Sequence, residues 1–254
     1  MDVHAGGTGP YLLLVHGFLS SRAQWRLNLE GLKSSFRPVV VELWGHGRSP
    51  APIDPEAYRA SSYIDAFEAI RRGLGIDRWM ICGQSFGAGL TIRYAHRHPD
   101  RVVGQVFTNS MSALSMPDQA QDAAIRLARA DGIERGGHTA VEALPFHPRF
   151  ALRISSNVRQ EMLDDAALIS PIAIANAIRY TAAELSTADF FRNLTVPTLL
   201  VNGLWEKKFQ PLRNIAAKWL PALEVADIEG GHSINLEAPE HFNLAVTDFA
   251  RRLE

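Results

Sequence analysis

The sequence has little cysteine, no excess of either charge and no long apolar run. Among its 254 residues there is a single cysteine, Cys82, which excludes an intramolecular disulfide framework and a cysteine-based zinc cluster. Lysine and arginine total 26 against 27 aspartates and glutamates, and no basic block is long enough to attract nucleic acid. We therefore expect no nucleic-acid partner.

The chain also lacks the signals of membrane insertion or secretion. No stretch approaches the apolar length that crosses a bilayer, and residues 1–9 have neither the basic nor the apolar segment of a signal peptide. A lone cysteine fits a reducing compartment. These absences predict a cytoplasmic protein with no membrane partner. The length and the 46% apolar content predict one large globular domain, with room for an insertion.

Short apolar segments alternate with segments of helical period, which predicts an α/β fold with a parallel sheet. The apolar segments lack strict polar alternation, as expected for strands that are covered on both faces. The predicted strands are 11–15, 39–43, 79–82, 102–107, 198–201 and 223–228. The clearest predicted helices are 25–36, 64–74 and 239–253.

The stretch 111–191 breaks this alternation. It has no convincing strand but several alanine-rich helical segments, at 121–130, 160–168 and 172–178. The strand pattern then resumes at Val196, which favours an insertion between two core strands over a separate domain. We expect a core of residues 1–110 and 192–254, with residues 111–191 as a helical cap inserted before the strand at 198–201.

Residues 83–87 read Gly-Gln-Ser-Phe-Gly and join a predicted strand to a predicted helix. In this G-x-S-x-G arrangement the serine lies on a sharp turn that exposes its hydroxyl group. A side chain at either flanking glycine would clash with the neighbouring strand or helix. Ser85 is therefore the candidate nucleophile.

A serine hydroxyl reacts only when a base removes its proton, and the base needs a carboxylate that sets its tautomer. His232 follows the last predicted strand on a loop that contains two glycines, so its ring could reach over the carboxyl ends of the strands. His16 and His46 lie in tight turns, where a structural hydrogen bond is the more common role. His232 is the candidate base.

The carboxylate should follow the strand at 198–201, because the reactive groups of such a sheet gather at the carboxyl ends of its strands. Glu206 occupies that place and is the candidate acid. Two rivals remain. Asp189 precedes the strand, and Asp227 lies inside the last predicted strand.

Four motifs in this order make the chain resemble the α/β-hydrolase superfamily, in the capped branch that includes esterases, lactonases and C–C bond hydrolases. They are His-Gly-Phe at 16–18, Gly-His-Gly-Arg-Ser at 45–49, the pentapeptide at 83–87 and Gly-His at 231–232. The resemblance covers nearly the whole chain. It implies an open, mostly parallel sheet flanked by helices, an oxyanion hole built from the backbone N–H groups of Phe18 and Phe86, and structural roles for His46 and Arg48.

The chain departs from its relatives at three places. Glu42-Leu43-Trp44 stands where relatives commonly have Asp-x-Pro, so Trp44 either lines the pocket or fills a gap. Only ten residues precede the first strong strand, where relatives usually have an antiparallel hairpin, so we expect a trimmed sheet edge. Serine rather than aspartate at position 85 argues against the haloalkane dehalogenase and epoxide hydrolase branches.

Aromatic residues near the motifs indicate an apolar substrate pocket beyond the carboxyl ends of the strands. No basic cluster near the motifs requires a diacid or a phosphorylated substrate, although Arg22, Lys207 and Lys208 are compatible with a carboxylate. The predicted pocket residues are Trp25, Trp44, Trp205 and Phe209.

The leading hypothesis is a cofactor-independent, metal-independent serine hydrolase that acts on a small molecule. It would cleave a carboxylic ester, a lactone or a thioester through an acyl-enzyme on Ser85. A second hypothesis keeps the same triad for a C–C bond hydrolase or lyase. A third is a small-molecule receptor with the hydrolase fold. The sequence leaves the oligomeric state open.

Overall fold

The computed structural model describes residues 1–116 and 120–253. Seven strands form one sheet: β1 (Asp2–Ala5), β2 (Tyr11–Val15), β3 (Arg37–Glu42), β4 (Trp79–Gly83), β5 (Val102–Thr108), β6 (Thr198–Gly203) and β7 (Glu224–Ile228). The strands lie in the order β1-β3-β2-β4-β5-β6-β7. Strands β2 to β7 are parallel, and β1 is antiparallel to β3. The predicted α/β-hydrolase sheet is therefore confirmed.

Helices surround the sheet, joined by short 3-10 turns. The α-helices are α1 (Leu29–Lys33), α2 (Ala60–Gly73), α3 (Phe86–Arg97), α4 (Met111–Leu114), α5 (Ala120–Glu142), α6 (Ser156–Ala166), α7 (Pro171–Asn176), α8 (Gln210–Trp219), α9 (Ile234–Glu237) and α10 (Pro239–Arg251). In the described ranges no single helix is long and apolar enough to span a bilayer. One pair, Ser156–Ala166 with Pro171–Glu184, meets the length and composition test only jointly, and that pair is bent by 95°.

Both faces of the sheet are buried, which explains why its strands have continuous apolar segments. Successive residues of a strand point to opposite faces. Leu13 and Val15 belong to the apolar cluster that includes residues of α2 and α3, whereas Leu12 and Leu14 belong to the cluster that includes residues of α10. The sheet therefore separates two layers of apolar packing, and each layer is closed by helices.

Of the three clearest predicted helices, the one at 25–36 differs most from the structure. The structure has a 3-10 turn, Arg22–Trp25, and then the five-residue α1. Asn28 lies between them, with its backbone N–H bound to the carbonyl of Trp25 and its buried side chain bound to Asn235 and Asn243. These hydrogen bonds to residues of α9 and α10 hold Asn28 at the break between the 3-10 turn and α1.

Strand β1 was not predicted. It pairs with the edge strand β3, and Ala5 lies opposite Val39. Its four residues, Asp-Val-His-Ala, contain no apolar run, so the sequence pattern carries little strand signal. A single antiparallel strand thus completes this edge of the sheet.

The described residues between β5 and β6 form helices and turns, with α5 as the longest element. Helix α5 bends at Gly137, whose φ of 58° and ψ of −143° lie outside the helical region. Residues from α5, α6 and α7 pack around Leu19, a buried residue of the loop after β2. The segment between β5 and β6 therefore packs against that loop.

The chain reverses its direction across the sheet at β2. Strand β3 lies on one side of β2, and β4 lies on the other. Such a switch point opens a crevice at the carboxyl ends of the two central strands. Residues 16–18 follow β2, and Ser85 follows β4, so two of the four motifs meet at this crevice.

Candidate active site

The turn that carries Ser85 is strained. Ser85 has a φ of 50° and a ψ of −109°, and among the described residues only Leu19 is another non-glycine residue with positive φ. Such backbone strain costs about 1–3 kcal/mol and persists only where its surroundings enforce it. A Cβ on Gly83 would lie 2.4 Å from the Gly87 carbonyl oxygen, and one on Gly87 would lie 2.5 Å from the Val15 carbonyl oxygen. Both glycines are therefore required for the turn.

His232 lies between β7 and α9 and contacts both of the other predicted triad residues. Its Nε2 is 2.9 Å from Ser85 Oγ, and its Nδ1 is 3.0 Å from each carboxylate oxygen of Glu206. The structure thus brings the three predicted side chains together in one hydrogen-bonded chain. With the proton on Nδ1 directed at the carboxylate, Nε2 is free to accept the serine proton.

Asn109 also holds Glu206 in place. Its side-chain amide donates to Glu206 Oε2 at 2.8 Å and to the Gly203 carbonyl, and its oxygen accepts from the Gly203 N–H. Burial opposes ionisation of Glu206, but the hydrogen bonds and charge of His232 together with Asn109 outweigh it and lower the pKa of the carboxyl. Glu206 is therefore a carboxylate at neutral pH.

The two rival carboxylates lie elsewhere. Asp227 is exposed and forms an ion pair with Arg213 at 2.6 Å and a hydrogen bond with Asn202. Asp189 is exposed and does not line the cavity that contains Ser85. Neither is bonded to His232 in the structure, in contrast to Glu206.

His16 and His46 are buried beneath the site. His16 Nδ1 donates to the Gly17 carbonyl at 2.7 Å, and its Nε2 accepts the Leu43 N–H at 3.0 Å. Burial lowers the pKa of His16 to about 3 and that of His46 to about 4. Both rings are therefore neutral at pH 7, and the hydrogen bonds of His16 tie the loop after β2 to the loop after β3.

Glu42, the residue noted as a departure from relatives, is fully buried and binds backbone N–H groups. Its carboxylate accepts from Arg22 at 3.2 Å and from Arg48 at 2.9 Å. The side chain of Arg48 in turn forms an ion pair with Asp165 of α6 at 2.6 Å. These contacts connect the Gly-His-Gly turn to α6.

Phe18 and Phe86 lie on either side of the switch point. Their ring centroids are 5.4 Å apart, and both residues line the same cavity as Ser85. Gly17, which precedes Phe18, has no Cβ, and one placed there would lie 3.3 Å from Ser85 Cβ. The loop after β2 therefore approaches the serine closely with its backbone.

A cavity of about 860 Å³ opens above Ser85. That volume is in the range of pockets for small organic ligands. The core supplies its floor, through Phe18, Gln84, Ser85, Phe86, Glu206 and His232. The segment between β5 and β6 supplies much of its wall, through apolar residues and His147 and through three arginines: Ile125, Leu144, Phe146, His147, Phe150 and Ile154 with Arg126, Arg129 and Arg153.

None of the four aromatic residues that the sequence predicts for the pocket lines this cavity. Trp25 is fully buried against Phe242, and Phe209 is fully buried in the core cluster that includes residues of α8. Trp44 packs on the cluster beside α2 and α3. Trp205 is half-exposed, with its indole N–H bound to Glu229. Proximity in sequence to a motif does not determine which face of the sheet a ring packs on.

Sequence reasoning missed Asn109 and the cavity wall at 144–154. Asn109 directly follows β5, so a polar residue at the carboxyl end of a parallel strand was the signal that could have revealed it. The wall residues carry no such signal. Within the described ranges, no group of His, Cys, Asp and Glu side chains is arranged to hold a metal ion.

The fold and the site define a class of enzyme. A family model described as the alpha/beta hydrolase fold matches residues 10–239. The chain therefore belongs to the α/β-hydrolase fold family and is an enzyme of this type.

Relatives and solved structures agree with this assignment. The chain is 28% identical over 258 residues to 2-(acetamidomethylene)succinate hydrolase of Mesorhizobium japonicum, covering 98% of this chain and 91% of that one. It is 26% identical over 245 residues to carboxylesterase YbfK of Bacillus subtilis, covering 94% and 80%. The structure of MenH from S. aureus superposes with a TM-score of 0.85 at 20% identity, covering 99% of this chain and 98% of that one.

Proposed function

We propose that the protein is a cofactor-independent serine hydrolase that cleaves a carboxylic ester, a lactone or a thioester of a small, largely apolar molecule. The observation that carries the proposal is the hydrogen-bonded chain from Ser85 through His232 to Glu206 at the floor of the cavity. The similarity to a carboxylesterase supports the same chemistry.

In the proposed acylation step, Ser85 Oγ attacks the carbonyl carbon while His232 Nε2 takes the hydroxyl proton. Glu206 stabilises the imidazolium that forms. The tetrahedral intermediate then collapses, the C–O or C–S bond breaks, and His232 delivers its proton to the leaving group. Water, activated by the same imidazole, adds to the acyl-enzyme and releases the acid.

We assign the oxyanion to the backbone N–H groups of Phe18 and Phe86. In the described turns, neither N–H donates to a backbone carbonyl, and both residues line the cavity beside the serine. Donors that are fixed before reaction stabilise developing charge without reorganisation, and the loss of one typically costs about 3–4 kcal/mol.

We also propose that residues 111–191 act as a cap over a core of residues 1–110 and 192–254. The wall residues named above, among them Ile125, Phe146 and Ile154, come from this segment and are mostly apolar. They would contact the part of the substrate that lies away from the scissile carbonyl. These apolar residues favour an apolar substituent beside them.

A fluorophosphonate probe tests the proposed nucleophile. Wild-type protein should be labelled at Ser85, and Ser85→Ala should lose both the label and ester turnover. Ser112→Ala, which removes another serine of the cavity wall, should keep the label. Ester hydrolysis that survives in Ser85→Ala would exclude the acyl-enzyme on Ser85.

A second candidate keeps the triad but cleaves a different bond. The Mesorhizobium relative is named for hydrolysis of an acetamidomethylene succinate and not of an ester, so bonds other than the ester C–O bond, C–C bonds among them, should be tested as well. Turnover of a dienone substrate that exceeds turnover of p-nitrophenyl esters and lactones would select this candidate. Ligand-induced thermal stabilisation with no product from any class would favour a receptor instead.

A further inference from the structure

One imidazole stands in the part of the cavity wall that the inserted segment contributes. His147 lines the cavity and is only 6% exposed. Its neighbours in the wall include Leu144, Phe146 and Pro148, which offer no polar side-chain atoms. His147 is not part of the chain formed by Ser85, His232 and Glu206, so the proposed mechanism leaves it without a role.

The local structure sets the tautomer of His147. It caps the 3-10 turn Pro148–Phe150, and its Nδ1 accepts the backbone N–H of Arg149 at 3.3 Å. Burial lowers the pKa of the ring, while nearby Glu142 raises it and Arg149 lowers it further. A neutral imidazole whose Nδ1 is an acceptor carries its proton on Nε2.

The Nε2–H group has no protein acceptor in the part of the chain that the structure describes. The Nε2 atom is not one of the side-chain atoms that are fully buried without a hydrogen-bond partner, so it is accessible to solvent. We place the Nε2–H group toward the cavity, because the residue is nearly buried and the cavity is the open space that it lines. A donor with apolar neighbours such as Leu144, Phe146 and Pro148 disfavours ligands that cannot pair with it, because binding them would remove its water without replacement.

We propose that His147 is a specificity-determining residue whose Nε2–H binds a second oxygen acceptor of the substrate, away from the scissile carbonyl. This inference rests on the proposed ester hydrolysis. It narrows the substrate class to esters, lactones or thioesters that carry a further carbonyl, carboxylate or ether oxygen. The residue touches the substrate but takes no part in proton transfer.

Matched ester pairs test this role. The p-nitrophenyl esters of 4-oxopentanoic, 5-oxohexanoic and 6-oxoheptanoic acids are compared with the esters of the same chain length without the ketone. Wild-type protein should prefer at least one oxo ester by about tenfold in kcat/KM, chiefly through KM, because one hydrogen bond to a neutral donor is involved. His147→Phe should lose this preference while still hydrolysing the plain esters.

Two further variants separate binding from folding. His147→Gln keeps a side-chain N–H donor and should restore part of the preference. His138→Phe changes an exposed histidine of α5 that does not line the cavity and should behave as wild type. Circular dichroism and the thermal midpoint establish that each variant is folded.

Equal kcat/KM for every matched pair in wild-type protein would overturn the inference, as would a preference that persists in His147→Phe. Failure of the proposed ester hydrolysis would give a different result. In that case wild-type protein would hydrolyse neither member of any pair, or Ser85→Ala would remain active on both.

Discussion

Ser85, His232 and Glu206 are positioned by neighbours that are not themselves reactive. His232 lies 147 residues from Ser85 and 26 from Glu206 along the chain. Each of the three follows the carboxyl end of a parallel strand, and each is held by a specific contact. Asn109 orients the carboxylate, Gln84 donates to the His232 carbonyl at 3.3 Å, and the two glycines of the elbow admit the serine turn.

The Glu206→Gln variant tests the acid at the scale of one residue. Asn109 donates to Oε2 of the carboxylate, so the amide oxygen of a glutamine can occupy that position and the amide NH₂ then replaces Oε1, 3.0 Å from His232 Nδ1. That contact forces the histidine proton onto Nε2, where it blocks proton transfer from Ser85. We expect kcat to fall by about 10³-fold or more, with a small change in KM.

Steady-state kinetics on an ester substrate measure this effect, and Asp227→Asn is the matched control. Asp227 is paired with Arg213 and not with His232, so its neutral variant should retain nearly full activity. Near-normal turnover in Glu206→Gln combined with an inactive Asp227→Asn would reassign the acid.

At the scale of a single element, α5 contains a strained glycine whose effect on stability can be measured by itself. Gly137 has a φ of 58°, while Gly132 lies in the same helix with no left-handed φ. A Cβ on either glycine would meet no atom within 4 Å. The two positions therefore differ in backbone conformation and not in available space.

Alanine at these two positions should change stability in opposite directions. Gly137→Ala should lower the free energy of unfolding by about 1–2 kcal/mol, because an L side chain disfavours that φ. Gly132→Ala should raise it by about 0.5–1 kcal/mol, because alanine loses less backbone entropy in a helix. Urea unfolding midpoints measure both, and two shifts of the same sign would contradict the kinked geometry.

The stability of the whole molecule should depend on pH through His16 and His46. The pKa of each is lowered from 6.5, to about 3 and about 4, chiefly by burial. The unfolded chain therefore binds protons at a higher pH than the folded one does. Their contribution to stability is fully present above pH 6.5 and is lost progressively as the pH falls toward these lowered values.

Chemical unfolding between pH 7 and pH 5 checks this dependence. Each histidine should reduce the free energy of unfolding by about 1.4 kcal/mol per pH unit below pH 6. His46→Gln should weaken the slope, whereas His241→Gln, at an exposed position, should leave it unchanged. A stability that stays constant down to pH 5 would show that neither ring is held neutral by the fold.

The local sequence determined strands β2 to β7, the elbow at 83–87 and the order of the motifs. Those features depend on the spacing of apolar residues and on the small size of glycine, and both can be read from a few neighbouring residues. For the same reason Ser85, His232 and Glu206 could be predicted without coordinates. Each stands next to a strand end that the apolar pattern already marks.

Only the tertiary structure decided what surrounds those residues. Trp25 and Phe209 pack into the core and not into the cavity, Asn109 reaches Glu206, and His147 enters the wall from a segment with no strand signal. The physical reason is that contacts between residues far apart in sequence depend on how helices lie across the sheet. That arrangement results from packing the whole core at once and cannot be deduced from any short stretch of the chain.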